Sequence, residues 1–519
     1  MESHLTGILI VSIASLALYL LLSWPLGPKK GLLYPPGPKG LPILGNFFDM
    51  MGARECETLR GWKATYGPIA HLKVFGRSYV YLNDYQTVVN LFEKRGNIYS
   101  SRPHFIMNDL QGWGEWFVGV LPYGPELRRS RQKLHHFLQQ SVVPDYFAFQ
   151  TQSSYRLAEL LLRDPEDFLD VLKYSAADLI TRVTYGYAAN GITDPIIRIA
   201  EEGMEAFADA QGFYMVNEVP WLQHLPPWIP GMGFMRIAEE GYKKSMDMYK
   251  KPYEMFKKNL GKGLGSSSIA ARLLESLRDN NGKISQEDED LTAKVTSIMY
   301  AGAADTSFSA LSTFILAMVL HPDVQKRAQE EIDKTIGRNT LPTFEDLPKL
   351  KYIDAIRKEC MRWQSIITTP SPHTVSIDDE INGYLIPANS VVMANFWAIF
   401  RDPVEYPEPD KFIPERFIPS EGKKVPLEPS KVIFSVGRRI CPGRYFAENS
   451  IFIDMATIIA TCDIRMALDV DGNLIIPDIN YTNQFIRHTK PFRCSIKPRN
   501  SEILGLLHQH NEVETSSGD

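Results

Sequence analysis

The stretch Phe434-Ser-Val-Gly-Arg-Arg-Ile-Cys441-Pro-Gly443 places one cysteine on a loop bounded by glycines. Gly437 and Gly443 allow backbone conformations that are closed to other residues and let the chain approach a flat group closely. The proline after the cysteine restricts that cysteine to extended backbone. Residues 444–453 read as the first turns of a helix, whose N-terminal amides would stabilise a negatively charged sulfur. The loop therefore predicts a cysteine that is held as a thiolate.

A cysteine binds iron as the thiolate. The pKa of its thiol must therefore be lowered by nearby positive charge, by backbone amides or by the metal itself. The guanidinium of Arg439 is a charge-assisted partner for an acidic group on the molecule that carries the iron. The alternative is that Cys441 is a small buried hydrophobe, which is the usual role of a lone cysteine. The complete pattern F-x-x-G-x-R-x-C-x-G is met without a mismatch, and it resembles the haem-binding loop of the cytochrome P-450 superfamily. The resemblance implies haem b as cofactor, with Cys441 as the axial iron ligand and Phe434, Gly437, Arg439 and Gly443 around it.

A second segment, Tyr352 to Trp363, has a helical pattern in which Glu359 and Arg362 are neighbours on one face. Taken alone, such a pair is usually a solvated surface ion pair. The resemblance extends to Pro414-Glu-Arg-Phe417 and implies that Arg416 joins Glu359 and Arg362. The three would form a buried structural triad that fixes the loop beneath the haem.

The third segment, Ala301-Gly-Ala-Ala-Asp-Thr-Ser307, lies in a helical pattern from about Asp288 to His321. One stripe of this helix is made mainly of small side chains: Met299, Gly302, Ala303, Thr306 and Ala310. Asp305 and Thr306 supply an acid and an alcohol beside that stripe, which suits the delivery of protons to dioxygen. The alternative is a threonine bonded to its own helix and an aspartate on a wet face. The resemblance implies the catalytic role for both residues.

The chain departs from the family pattern at two places. Ala303 stands where the motif usually has a glycine, and Leu127 stands where members commonly have a tryptophan that binds a haem propionate. Arg131, four residues later, remains available for that propionate. The turn Pro370-Ser-Pro-His373-Thr374 resembles the family segment that supplies a residue to the other propionate. It makes His373 a candidate cofactor-binding residue, with a surface histidine as the alternative.

Length and composition fit one large domain. The chain has 519 residues, 44% of them hydrophobic and 23% charged, and no repeat or low-complexity linker divides it. We therefore expect a haem-thiolate catalytic domain over residues 41–498. The resemblance implies a mainly α fold with small β-sheets (α+β), the cytochrome P-450 fold. Net charge of −5 gives no reason to expect nucleic-acid binding, and the five cysteines lack a zinc-type spacing.

The two ends carry further predictions. Residues 5–24 contain no charge and are long enough to cross a membrane as a helix. A cleaved signal peptide is the rival, but no basic segment precedes this stretch. Residues 1–4 are then lumenal and a Pro-rich hinge follows over 25–40. The positive-inside rule places the catalytic domain in the cytosol as a single-pass protein of the endoplasmic reticulum membrane. We predict that residues 499–519 are a disordered tail.

The resemblance implies a membrane-anchored monooxygenase that inserts one oxygen atom from O2 into a small lipophilic substrate. No nucleotide-binding motif is fused to the chain, so electrons would come from an NADPH-dependent reductase carrying FAD and FMN. Five basic residues are candidates for its docking surface: Arg128, Arg129, Lys133, Arg438 and Arg444. Two alternatives stay open, a haem-thiolate isomerase or dehydratase that uses no O2, and a non-catalytic haem-binding protein.

The substrate is the least determined feature. The variable segments are rich in apolar side chains: Phe105, Ile106, Met107, Trp113, Trp116, Phe117, Phe207, Phe213, Tyr214, Ile366, Ile367 and Phe485. Such residues are more often core than pocket, so they indicate a hydrophobic ligand only weakly. Residues 341–419 resemble fungal monooxygenases of secondary metabolism. A fungal secondary metabolite such as a terpenoid is the expected substrate.

Overall fold

The computed structural model describes residues 31–52 and 55–515. The predicted anchor at 5–24 and the first part of the hinge lie outside these residues. Within the described chain, two compact units interleave along the sequence. The first contains the residues up to His104 together with 213–224 and 368–399, and the second contains 105–212, 225–367 and the residues from Phe400 onward. The prediction of a single catalytic domain over 41–498 stays a prediction.

The first unit is built on a four-stranded sheet in the order β1-β2-β6-β3. Strands β1 (Ile69–Val74) and β2 (Arg77–Leu82) form an antiparallel hairpin. Its two-residue turn has positive φ at Phe75 and Gly76, the backbone that suits the right-handed twist of paired strands. The other strands of the sheet are β3 (His373–Thr374) and β6 (Val391–Ala394).

A separate hairpin in the first unit joins β4 (Asp379–Ile381) and β5 (Tyr384–Ile386) through Asn382-Gly383, both at positive φ. The backbone N–H of His71 donates to the carbonyl of Pro36, so the described part of the predicted hinge lies on the first unit. The helices of this region are short: Phe47–Met51, Cys56–Tyr66, Tyr85–Val88, Val89–Lys94, Gly96–Tyr99, Met215–Glu218 and Phe396–Phe400.

The second unit is mainly helical. Its principal helices are α1 (Pro125–Leu138), α2 (Phe147–Arg163), α3 (Phe168–Tyr185), α4 (Pro195–Ala210), α5 (Phe234–Leu260), α6 (Gln286–Leu320), α7 (Lys351–Trp363), α8 (Arg444–Thr461) and α9 (Ile503–Thr515). The other helices are Ile106–Leu110, Trp113–Trp116, Ile269–Glu275, Pro322–Thr335 and Ser430–Ile433. A small sheet has the order β8-β7-β9, from Leu474–Ile475, Cys462–Leu468 and Cys494–Pro498.

Helix α6 is the central element of the second unit. Ser285 caps its start by accepting a hydrogen bond from the backbone N–H of Asp288, and acidic residues fill the first turn. Residues 291–304 lie in one apolar cluster of the unit, and residues 308–319 lie in another. Among the described residues this is the helix long and apolar enough to cross a membrane. Its most apolar window is 72% buried inside the protein, as expected of a core helix.

The prediction of a disordered tail over 499–519 is wrong for Ile503–Thr515, which form α9. Ile503 and Leu507 lie one turn apart and are both buried. They pack with Tyr155 and Ala158 of α2. The polar composition of the last residues hid this apolar contact, which offsets the entropy that ordering the helix costs.

Candidate functional site

The cysteine loop of the second unit is held tightly by its own backbone. The N–H of Cys441 donates to the carbonyl of Phe434 at 2.8 Å, which closes the loop. Ser435 and Gly437 both have positive φ, a conformation that glycine adopts without steric cost and serine does not. Helix α8 starts at Arg444, as predicted. The thiol of Cys441 therefore sits on a constrained turn just before a helix N-terminus.

Three groups oppose the effect of burial on the pKa of the Cys441 thiol. Burial raises the pKa of the thiol, while the backbone N–H of Gly443 and the charges of Arg131 and Arg444 lower it. Burial is the largest of these influences, so the surroundings alone do not hold the sulfur as a thiolate. A metal ion bound at the sulfur would supply the missing stabilisation, because a coordinated thiol loses its proton.

Arg131 and Arg439 are brought together beside the loop. Arg131 donates to the carbonyl of Ile440 at 2.7 Å, and Arg439 donates to the carbonyl of Leu121 at 2.6 Å. The pKa of Arg439 is lowered to about 9, first by burial and then by the charge of Arg131. Two neighbouring buried cations repel each other, and an anionic ligand relieves this repulsion.

Helix α6 presents an open stripe. A side-chain carbon added at Gly302 would meet no atom within 4 Å. The hydroxyl of Thr306 donates to the carbonyl of Gly302 at 2.7 Å, which is the bond back to its own helix that the sequence left as an alternative. Ala303, in place of the usual glycine, is half-buried and packs against the apolar cluster that contains Met299 and Ala304.

Asp305 does not share the partner of Thr306. Consecutive residues on an α-helix are rotated by about 100° around its axis, so the two side chains leave α6 in different directions. Oδ1 of Asp305 lies 2.9 Å from Nε2 of His488, on the loop between β8 and β9. His488 was missed in the sequence because 183 residues separate it from Asp305 and no motif surrounds it.

The residues of the predicted triad meet in the second unit. Arg362 donates from Nε and Nη2 to the two carboxylate oxygens of Glu359 at 2.7 and 2.8 Å. Arg416 donates from Nε to Glu359 at 3.2 Å. The side chains of Glu359 and Arg362 are completely buried. Arg362 also donates to three backbone carbonyls, of Phe400, Pro409 and Lys411.

His373 belongs to the first unit and is not the surface histidine that the sequence left open, since it is only 2% exposed. Its Nδ1 lies 2.7 Å from the carbonyl oxygen of Tyr99, and its ring stacks on Phe92. Its contact with a propionate stays a prediction. Leu127 of α1 is buried in the apolar cluster that also contains Leu134 and Phe137, so the residue in place of the usual tryptophan serves as core.

Most of the predicted apolar residues of the second unit pack on one another. Trp113, Trp116, Phe117 and Phe207 form a cluster of ring contacts, and the two tryptophans are fully buried. Phe207 and Phe485 also line a cavity of about 820 Å³ between α3, α4, α6 and the loop 484–492. The cavity reaches Ala304 and Asp305. Phe207 and Phe485 therefore belong both to the packed aromatic cluster and to the wall of the cavity.

The donor set fits an anionic iron macrocycle. It combines one thiol on a constrained loop, two adjacent buried guanidinium groups and, on α6, an open position at Gly302. A thiolate ligand suits iron, and guanidinium groups pair well with carboxylates. The structure therefore meets the chemical requirements that the cysteine loop predicts.

Comparison with known proteins decides the family. The sequence profile described as Cytochrome P450 matches residues 35–496. The chain belongs to the cytochrome P450 family. It is 36% identical to cytochrome P450 monooxygenase 208 of Postia placenta, over 92% of this chain and 93% of that protein. It is 34% identical to cytochrome P450 monooxygenase COX2 of Coprinopsis cinerea, over 96% and 95%.

A solved zebra fish cytochrome P450 has a TM-score of 0.68 to this cytochrome P450, covering 86% of this chain and all of that one at 19% identity. That likeness confirms the predicted mainly α fold with small sheets. Haem b is the cofactor of the family, and the relatives are monooxygenases by name. The predictions of a haem-thiolate monooxygenase that uses O2 and a redox partner are thus confirmed, and the isomerase and non-catalytic alternatives fall away.

Proposed function

We propose that this cytochrome P450 is a membrane-anchored monooxygenase, with Cys441 as the axial iron ligand, that oxidises a small lipophilic substrate. The observation that carries the proposal is the constrained Cys441 loop with Arg131 and Arg439 beside it. Phe434, Gly437 and Gly443 shape that loop, and Arg131, Arg439 and His373 would bind the haem propionates. Haem with a thiolate ligand favours cleavage of the O–O bond and transfer of one oxygen atom to a C–H bond.

Asp305 and Thr306 are proposed as the residues that handle protons. The Thr306 hydroxyl is on the same face of α6 as Gly302 and can exchange its bond to the Gly302 carbonyl for one to an incoming oxygen. The Asp305 carboxylate takes up a proton at Oδ1 or Oδ2 on the cavity side of the helix. Glu359, Arg362 and Arg416 hold the chain around the site in place and do not touch the reacting atoms.

The redox partner is proposed to be an NADPH-dependent reductase with FAD and FMN. Arg128, Lys133 and Arg444 of the second unit, together with Arg129 and Arg438, are the candidate docking cations. Arg129 already pairs with Glu287 and Asp288, and Arg438 donates to the hydroxyl of Tyr123. An acidic partner surface would compete for these bonds, which makes the association sensitive to salt.

Residues 5–24 are proposed to anchor the chain in the endoplasmic reticulum membrane as a single pass. Lys29 and Lys30 follow this stretch and place the remainder in the cytosol. A terpenoid is the proposed substrate class. The aromatic side chains of Phe207 and Phe485 on the cavity wall support a lipophilic ligand.

The iron ligand is tested by Cys441→Ala. The reduced protein with carbon monoxide is expected to show the strongly red-shifted Soret band of thiolate ligation, and the substitution is expected to abolish it. Cys462→Ala is the matched control, because Cys462 is also a free cysteine and is buried in β7. An unshifted, histidine-like band in the unaltered protein would refute the assignment.

The reaction is tested by supplying candidate terpenoids to cells that express the chain with a reductase. Mass spectrometry should find products heavier by one oxygen atom, and oxygen-18 gas should label them. Equal product formation without the reductase or without oxygen would contradict the proposed reaction. Oxygenated products from other lipophilic compounds but from no terpenoid would contradict only the substrate class.

A further inference from the structure

The contact between Asp305 and His488 is held from both sides. The carbonyl of Arg487 accepts a hydrogen bond from the hydroxyl of Ser309 on α6. The backbone N–H of His488 donates to the hydroxyl of Thr482 at 3.0 Å, and the His488 ring stacks on Phe308 with centroids 5.3 Å apart. These contacts fix the position of the His488 imidazole against α6.

The pair opens on the cavity of about 820 Å³. The side chains of His488 and Asp305 are 18% and 21% exposed, so they are neither sealed in the core nor free in solvent. The wall opposite α6 carries charges. Lys173 of α3 lies over the Phe308 ring and pairs with Glu201 of α4 at 3.0 Å. The Asp305 carboxylate, which belongs to α6, therefore borders the polar opening of the cavity.

We propose that His488 is a positioning residue that holds the Asp305 carboxylate on the cavity side of α6 and so supports proton delivery. This inference rests on the proposed role of Asp305. Nε2 of His488 lies 2.9 Å from Oδ1 of Asp305, and a hydrogen bond to a carboxylate fixes its orientation more firmly than one between neutral groups.

Other charged groups line the same cavity. They are Glu166 and Asp167 before α3, Asp170 and Lys173 on α3, and Arg198, Glu201, Glu202 and Glu205 on α4.

Two outcomes of the reaction distinguish good from poor proton delivery. Productive turnover consumes NADPH, a proton, O2 and substrate, and yields NADP+, the oxygenated product and water. In the unproductive branch the same NADPH, proton and O2 yield NADP+ and hydrogen peroxide. Poor proton delivery favours the second branch, so the fraction of consumed NADPH that is recovered as peroxide reports on proton delivery. The measurement uses any compound that the unaltered protein oxygenates, so the natural substrate need not be known.

The experiment compares the full-length protein, loaded with haem and mixed with a reductase, with His488→Gln and His488→Lys. His488→Gln should raise the peroxide fraction about twofold or more, because a neutral amide holds the carboxylate less firmly. His488→Lys supplies an ammonium donor to the carboxylate and should keep the fraction close to that of the unaltered protein. His508→Gln is the matched control, because His508 lies 3.5 Å from Glu159 outside this cavity.

A second measurement is independent of turnover. A double-mutant cycle of His488→Gln and Asp305→Asn on the unfolding equilibrium should give a coupling of about threefold or more. No coupling overturns the proposed pair. Coupling together with an unchanged peroxide fraction in His488→Gln overturns the positioning role. Loss of the red-shifted Soret band in the unaltered protein would instead refute the iron ligand, and the cycle would still test the pair.

Discussion

At the residue scale, Glu359 is the most demanding position of the second unit. Its carboxylate accepts from Arg362 and Arg416 and also from the backbone N–H of Ile413 at 2.7 Å. A buried charge of this kind is tolerated because both carboxylate oxygens accept hydrogen bonds and two guanidinium groups balance the charge. Removing one member leaves the others charged and buried, so the cost of a substitution exceeds the value of the pair itself.

Glu359→Gln is expected to lower the free energy of unfolding by about 3–5 kcal/mol. The amide keeps the shape of the side chain but leaves Arg362 without its counter-charge. Urea denaturation followed by circular dichroism measures the change. Glu240→Gln is the control, since the pair of Arg236 and Glu240 is also helical but exposed, and it should change the stability by less than about 0.5 kcal/mol. Similar losses in both variants would contradict a buried triad.

At the element scale, α6 combines stability and openness. It runs from Ser285, its cap, through two apolar clusters, and the clusters are separated at residues 305–307. Gly302, near that separation, weakens the helix, and a side-chain carbon added there would meet no atom within 4 Å. A helix that needed only to be stable would have alanine there.

Gly302→Ala is therefore expected to raise the free energy of unfolding by about 0.5–1 kcal/mol and yet to lower the turnover of the oxidation. The added methyl group occupies the open stripe of α6. Gly61→Ala is the matched control, because Gly61 is also inside a helix and a side chain there meets nothing within 4 Å. It should stabilise the protein equally and leave turnover unchanged. Unaltered turnover in Gly302→Ala would show that the open stripe has no role in the reaction.

At the scale of the whole molecule, local motifs were readable from the sequence and distant contacts were not. The Cys441 loop, the Glu359 pair and the bounds of α6 follow from residue types within a few turns of one another. His488 and α9 were missed because each depends on packing against a segment more than 100 residues away. The order of apolar and polar residues near each of them carries no periodic signal that identifies the partner.

The docking of α9 gives a test at this scale. Leu507→Ala should lower the free energy of unfolding by about 2–5 kcal/mol, because Leu507 is fully buried against α2. Leu504→Ala, at a position that is 45% exposed on the same helix, should have an effect of less than about 0.5 kcal/mol. Equal effects in thermal denaturation would mean that α9 does not pack as described.

The passage of α6 through both apolar clusters also bears on cooperativity. As one hydrogen-bonded helix of 35 residues it is a rod of roughly 52 Å. Melting either cluster alone would end the helix in its middle, where about four N–H groups or about four C=O groups would lose their partners inside the protein. That penalty links the two clusters energetically. The second unit should therefore lose its structure in one concerted step, so that damage to either cluster is felt by both.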